Sequence, residues 1–471
     1  MHRALPQLLT RRDLLNRASG GFFGTALSYL LTQDGFFAAA QGLSRQAPRH
    51  HHPPRATSCI VFFMPGGVSH VDTFDPKPEL TRRHGERTAH PREPSTQAAP
   101  GTLFGSPWPF HQYGKSGLPV SELFPHLGTC VDDLTIIRSM HSESAAHAAA
   151  ALFMSTGFIR NGFPSMGSWV SYGLGRANEN LPCYVVLNSG GNLGQIGGAP
   201  NWSSGFIPAE HQGVMFGGAN SPVANLRPAR GNEPVDRRQQ LDLLARLNEM
   251  HLDQQGDHAE LAARSASYEL AFRMQTHAPE AVDINQETVE TRRLYGLDRP
   301  NGPTLARNCL LARRLVERGV RFVQVFHGGW DAHNGLRSNH EGNCRGCDQP
   351  IAALLTDLKR RGLLDTTLVV FTSEFGRTPQ AQGQGPGAGR DHHARGFTTW
   401  LAGGGVKGGL AYGATDELGH TAVENPVSVH DLHATLLHQM GIDHERLTFR
   451  HASRDHRLTD VHGSVIRDIL A

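Results

Sequence analysis

Two rhythms of apolar residues alternate along this chain. Short continuous runs at 58–64, 134–138, 182–187, 320–326, 367–372 and 397–401 are rich in β-branched and aromatic residues, and each predicts a buried strand. Between them, apolar positions recurring every three or four residues predict helices over 145–154, 235–251, 259–275, 285–295, 305–318, 348–361 and 430–440. Gly319, Gly362 and Gly441 stand where three of these helices must stop. Residues 189–235 are dense in Gly, Asn and Pro with no clear period, which predicts surface loops.

Strands alternating with helices imply an α/β fold: a three-layer sandwich whose mainly parallel central sheet is covered on both faces. In such sheets ligands bind beyond the carboxyl ends of the strands. Four loops at that edge hold carboxylates or histidines. Ser69-His70-Val71-Asp72 follows the first strand, and His327-Gly328-Gly329-Trp330-Asp331-Ala332-His333 follows 320–326. Ser373-Glu374-Phe375-Gly376-Arg377-Thr378 follows 367–372, and Gly389-Arg390-Asp391-His392-His393 precedes 397–401. Carboxylate oxygens and imidazole nitrogens are the ligands of transition-metal sites. A lone Asp-x-His is an ordinary solvated loop; four such loops on one edge predict a metal site.

Composition sharpens that picture. Histidine occurs 28 times in 471 residues, an excess of the side chain that most often binds transition metals. Lys plus Arg is 45 against 43 for Asp plus Glu, a net charge of +2, which speaks against an electrostatic nucleic-acid binder. The 38% of hydrophobic residues supply a core, with no stable membrane span expected in the mature chain. Of the six cysteines, only Cys344 and Cys347 are close in sequence, and a zinc ribbon would need a second pair. The expectation is a surface disulfide or two unpaired thiols.

The N-terminus reads as an export signal. Arg11-Arg12 precedes an uncharged stretch, 18–31, too short to cross a bilayer, and then Ala38-Ala39-Ala40. Residues 1–40 are expected to be a twin-arginine signal peptide, read by the twin-arginine export machinery, and 41–57 a disordered spacer. The protein would then be periplasmic or extracellular. The remaining domain is expected over 58–471, with a loop-rich and then helical insert at about 189–300.

The edge motifs carry a resemblance. The run from Phe63-Met64-Pro65-Gly66-Gly67 to Asp75, with Gly329–His333, Ser373–Thr378, Gly389–His393, His430–Leu437 and Leu458–Gly463, resembles an uncharacterised exported family, domain of unknown function 1501. The likeness covers 58–471 in order. That family is similar to the alkaline phosphatase and sulfatase superfamily, which implies a metal centre at the edge of an alkaline phosphatase-like sandwich. On that resemblance, Asp331 and His333 match the superfamily's Asp and His pair with tighter spacing, and His392 matches the later histidine that completes the site. Glu374-Phe375-Gly376 stands where the superfamily has Asp-His-Gly, keeping the carboxylate and losing the histidine. Where the first strand normally delivers a metal-binding Asp, this chain has Pro65-Gly66-Gly67, and His70 and Asp72 are the nearest candidates.

Ser155-Thr156-Gly157 resembles the turn that follows the superfamily's nucleophile helix. Counting back puts His147 at the nucleophile position, as a metal or anion ligand, with Ser144 three residues earlier as a candidate nucleophile. The bland alternative is that Ser142 merely caps the helix. Arg377, or Arg390 after it, would neutralise the substrate anion; an ion pair locking its loop is the other reading of Arg377. The resemblance thus implies a hydrolase of phosphate or sulfate esters, sulfated or phosphorylated glycans among them. It would hold one or two divalent ions (zinc, manganese, iron or calcium) through Asp331, His333, Glu374, His392, His70 and Asp72. The alternative is a non-catalytic binding protein of the same fold.

Overall fold

A computed structural model of the chain describes residues 50–88, 101–216, 259–298 and 303–471, with a few positions between 238 and 246. The expected signal peptide, the spacer up to residue 49 and ten of the seventeen residues of the helix expected over 235–251 lie outside these residues, and the seven described there are helical. The described end of the spacer is ordered, which corrects the expectation there. His51 N–H donates to Gly441 O at 2.8 Å, Ala56 N–H donates to Gln439 O at 2.8 Å, and the Ala56 side chain is buried.

Nine strands form one sheet: β1 (Ser58–Phe63), β2 (Leu134–His141), β3 (Tyr184–Asn188), β4 (Val214–Phe216), β5 (Phe322–Phe326), β6 (Thr367–Thr372), β7 (Phe397–Ala402), β8 (Leu410–Tyr412) and β9 (Val427–Ser428). Their order is β8-β2-β7-β6-β1-β5-β3-β4, with β9 also beside β2. β7 runs antiparallel to β2 and β6, and every other pairing in this sheet is parallel. β4 places part of the expected insert in the sheet itself.

Side chains along the central strands alternate between two core layers, as a two-residue repeat requires. Ile60, Phe62, Val323, Val325, Val369 and Phe371 face one layer. Cys59, Val61, Phe63, Phe322, Leu368 and Val370 face the other. Helices α1 (His147–Thr156), α2 (Met166–Leu174) and α6 (Val429–Gln439) cover the second layer. α3 (Ala259–Val282), α4 (Thr304–Glu317) and α5 (Leu336–Arg360) cover the first. The strands are apolar on both sides because both faces are packed, and each fully buried Val, Leu or Phe contributes ~1.5–3 kcal/mol of burial. This is the three-layer α/β sandwich expected.

Register gathers the candidate loops. Phe63 at the end of β1 lies opposite Phe326 and Thr372, the ends of β5 and β6, so all three strands stop at one edge. Because β7 is antiparallel, its first residue, Phe397, pairs with Met140 near the end of β2 at that same edge. α5 begins a dozen residues earlier than apolar periodicity predicts, because its first half is polar. There Asn339 and Asn343 each donate to Gly329 O at 2.8 Å, which fixes the loop carrying Asp331. All six cysteines are buried free thiols, so Cys344 and Cys347, one turn apart on α5, form no surface disulfide. Among the described residues, no helix is long and apolar enough to cross a membrane.

Candidate metal centre

Asp331 leaves β5 on a loop that must pass close to the one after β1. A Cβ at Gly66, whose φ is +119°, would lie 2.4 Å from Asp331 N. Only glycine tolerates both that backbone angle and that approach. The passage delivers Asp331 to the centre of the edge, where three imidazoles meet it.

His147 is the first residue of α1, and its Nε2 lies 3.2 Å from Asp331 Oδ2. His333 Nε2 and His392 Nε2 lie 3.1 and 3.2 Å from Asp331 Oδ1, and 2.9 Å from each other. The opposite nitrogen of each ring has an oxygen partner. His392 Nδ1 donates to Ala145 O at 2.8 Å, His333 Nδ1 to Gln382 Oε1 at 2.6 Å, and His147 Nδ1 to Glu374 Oε1 at 2.8 Å. A neutral imidazole with its proton on Nδ1 carries a lone pair on Nε2. With all three rings in that tautomer, three lone pairs would face a carboxylate, acceptor against acceptor. Only a shared cation, a metal ion or a proton, balances that arrangement.

Protonation follows from the same geometry. Burial opposes charge on His147, but hydrogen bonds to Asp331 and Glu374 carry its pKa up to about 9. Asp331 is pushed up by burial, yet hydrogen bonds from His147, His333, His392 and Arg377 hold it far below the usual carboxylate range. Asp331 raises His333 against its burial, whereas burial prevails at His392 and lowers it. A proton on His147 stands in for the cation. The donor set fits a divalent metal: His147, Asp331 and His392 form one group with ligand distances, and His333, Asp391 and His392 a second that shares His392. Asp391 Oδ2 is buried without a hydrogen-bond partner, which leaves an acceptor beside the second group.

Several expected roles change. Glu374 is not at the convergence. Its Oε1 also accepts Gly66 N–H at 2.8 Å, so it orients His147 from behind. Arg377 is not available to a substrate. Its Nε donates to Gly67 O and its Nη1 to Arg390 O, both at 2.9 Å, and its Nη2 to Gly66 O and to Asp331 Oδ1, the latter at 2.7 Å. It locks the loop and orients Asp331. Asp72 lies in a wholly buried pair with Arg390, at 2.7 and 3.1 Å, and also accepts the Ser69 hydroxyl. Arg390 further donates to Thr378 O, Pro379 O and Phe104 O, so it too is spent on the fold. His70 Nε2 donates to Gly419 O at 2.8 Å, and neither His70 nor Asp72 joins the cluster, because both side chains turn into the interior.

Ser144 is not drawn into the cluster by any described contact. Its Oγ accepts Ala146 N–H at 3.1 Å, an ordinary turn at the helix start. Ser142 supplies no cap to α1. Two participants escaped the sequence. Gln195, from the loop-rich insert, donates to Asp331 Oδ2 at 2.9 Å, and Gln382 holds His333. Asp391 stood within a quoted motif, which was the signal available for it.

Residues 56–470 match the family described as "Protein of unknown function (DUF1501)", and the chain belongs to that family. No curated protein matches. Solved structures similar to the chain include the alkaline phosphatase from the Antarctic bacterium TAB5, at 12% identity and a TM-score of 0.31 over 76% of this chain and 94% of that one. The PsFucS1 sulfatase from Pseudoalteromonas sp. is 12% identical, with a TM-score of 0.36 over 83% and 69%. The lipoteichoic acid synthase LtaP from Listeria monocytogenes is 9% identical, with a TM-score of 0.32 over 82% and 73%. At these scores the likeness carries no argument about chemistry, which is read below from the residues themselves.

Proposed function

We propose that this member of the DUF1501 family is a metal-dependent hydrolase of phosphate or sulfate esters. The observation that carries the reading is the convergence of three histidine Nε2 atoms on Asp331, with the Nδ1 of each ring held from behind by an oxygen. His147, His333, His392 and Asp331 would hold a divalent ion, with Asp391 beside them. When bound, such an ion polarises the ester oxygen and lowers the pKa of water. The chain's own residues do the rest. Arg377 and Gln195 fix the two oxygens of Asp331, Glu374 fixes the His147 ring, and Phe375 packs against the His147 and His392 rings, at 5.0 and 4.6 Å between centroids. That apolar wall keeps bulk water from one flank of the imidazoles. Since no described contact brings Ser144 to the cluster, water is the attacking group in this reading.

Arg11-Arg12 and the segment after it support export by the twin-arginine route, which would bring the enzyme to anionic glycan esters outside the cytoplasm. The test is elemental analysis of the chain purified without chelator, beside Asp331→Ala, with turnover of aryl phosphate and aryl sulfate esters. The expected result is one or two equivalents of metal and measurable turnover, both lost in the variant. No stoichiometric metal after reconstitution would sink the reading. Stoichiometric metal without turnover on any ester would leave the binding protein as the function.

A further inference from the structure

We infer that Gln382 is a positioning residue: it holds the proton of His333 on Nδ1 and so keeps Nε2 free as a ligand atom. The inference rests on the metal reading above but is decided by a measurement of its own. The three ring locks are unequal. His392 is held by a backbone carbonyl, which cannot turn away, and His147 by Glu374, whose side chain is wholly buried. His333 is the most exposed ring of the three, its side chain at 32%, and its lock is an amide on a loop.

The backbone of that loop is set with care. Gln382 N–H donates to Gly389 O and Gly389 N–H to Gln382 O, both at 2.8 Å. A Cβ at Gly389 would lie 2.2 Å from Ala332 O and from the carbonyl carbon of His333. The bridge is therefore pressed onto the backbone of His333 and leads within three residues to His392, so one feature registers the amide against two of the rings.

Asp391 Oδ1, at 3.6 Å from His333 Nδ1, lies beyond hydrogen-bond reach and already accepts His392 N–H at 2.8 Å. With the amide oxygen removed, the proton moves to Nε2, where Asp331 Oδ1 at 3.1 Å accepts it. The position meant for a cation is then closed by a hydrogen bond from an uncharged ring to the carboxylate.

The experiment uses the full chain, Gln382→Met, which keeps length without an acceptor, and Gln382→Glu, which keeps the acceptor. Titration with zinc or manganese should show affinity weakened about 10–100-fold in the Met variant, and within a few-fold of wild type in the Glu variant. Nitrogen-15 shifts of the metal-free protein, with the His333 signals identified by their loss in His333→Gln, should show Nδ1–H in wild type and Nε2–H in the Met variant. Nε2–H in wild type, or equal weakening by Met and Glu, overturns the role of Gln382. Absence of metal binding in wild type overturns the metal reading alone, since the shifts still decide the tautomer. Should the Met variant not fold, the wild-type shifts and the Glu variant remain decisive.

Discussion

Two Arg–Asp pairs stand on neighbouring loops of the same sheet edge, Arg377 with Asp331 and Arg390 with Asp72, each closed at 2.7 Å. They use the same residue types, yet one is finished and the other is not. Around Asp72 each carboxylate oxygen meets a donor: two guanidinium nitrogens and the Ser69 hydroxyl, with both side chains fully buried. Around Asp331 the guanidinium and Gln195 are donors, but the three imidazole Nε2 atoms, each with its Nδ1 already on an oxygen, need a proton or a metal ion between them and the carboxylate, which keeps 26% exposure. A buried pair whose hydrogen bonds balance holds a fold together. A partly open one with surplus acceptors is a place for a cation.

The largest effect that could break this contrast is on the closed pair. Arg390→Met leaves Asp72 buried and unpaired, and should cost about 3–5 kcal/mol in denaturant unfolding, while metal per folded molecule stays at the wild-type value. A cost under about 1 kcal/mol would mean that Asp72 is not held as described. Next comes the open site. At metal a hundredfold above its dissociation constant, bound metal adds about 2.7 kcal/mol to the folded state. Chelator should therefore lower the melting temperature of wild type and leave His392→Ala unmoved; an equal drop in both would remove His392 from the ligand set.

His70→Phe sharpens the comparison from the other side. It strands the Gly419 carbonyl and should destabilise by about 1–3 kcal/mol, with metal stoichiometry intact; loss of metal there would return His70 to the centre. The smallest effect is one of pH. Burial pushes Asp72 up, but Arg390 holds it below the ordinary carboxylate value. Its contribution is therefore present above the unfolded-state value of about 3.9, and is lost as pH falls through the lower folded value. In Arg390→Met the carboxyl titrates above its unfolded value, so its protonation relieves part of the damage. Unfolding free energies of the two proteins should thus approach each other between neutral pH and about pH 4; a gap that stays constant would contradict the pairing.

The six inner strands were legible because both sheet faces are packed there and their sequences are apolar without interruption, whereas the short β4, β8 and β9 were not. Asp331, His333 and His392 were legible as residues that could bind metal, standing beyond strand ends. His147 was visible only through resemblance, since nothing near it in sequence marks it as a ligand. The early start of α5 was hidden because its first half is mostly polar, touching the core through Cys344 and Cys347 while Asn339 and Asn343 hold a loop. Gln195 and Gln382 left no trace, because a glutamine in a glycine-rich loop has no pattern to distinguish it. For Arg377 the ion pair that locks its loop, one of the two readings of the sequence, is what the structure holds, and Arg390 is spent in the same way: a guanidinium suited to an anionic substrate is equally suited to carbonyls and a buried carboxylate.

Taken alone, the chain determined six of the nine strands of the sheet, which edge of it carries the polar loops, and which residues there have donor atoms for a metal. The tertiary structure decided which of those atoms remain free. Hydrogen bonding is a matter of angstroms between groups far apart in sequence, and a nitrogen or oxygen becomes a ligand only when no nearer partner has claimed it. Asp72 and His70 found such partners inside the protein, while three imidazole Nε2 atoms were turned toward Asp331 at a partly open edge.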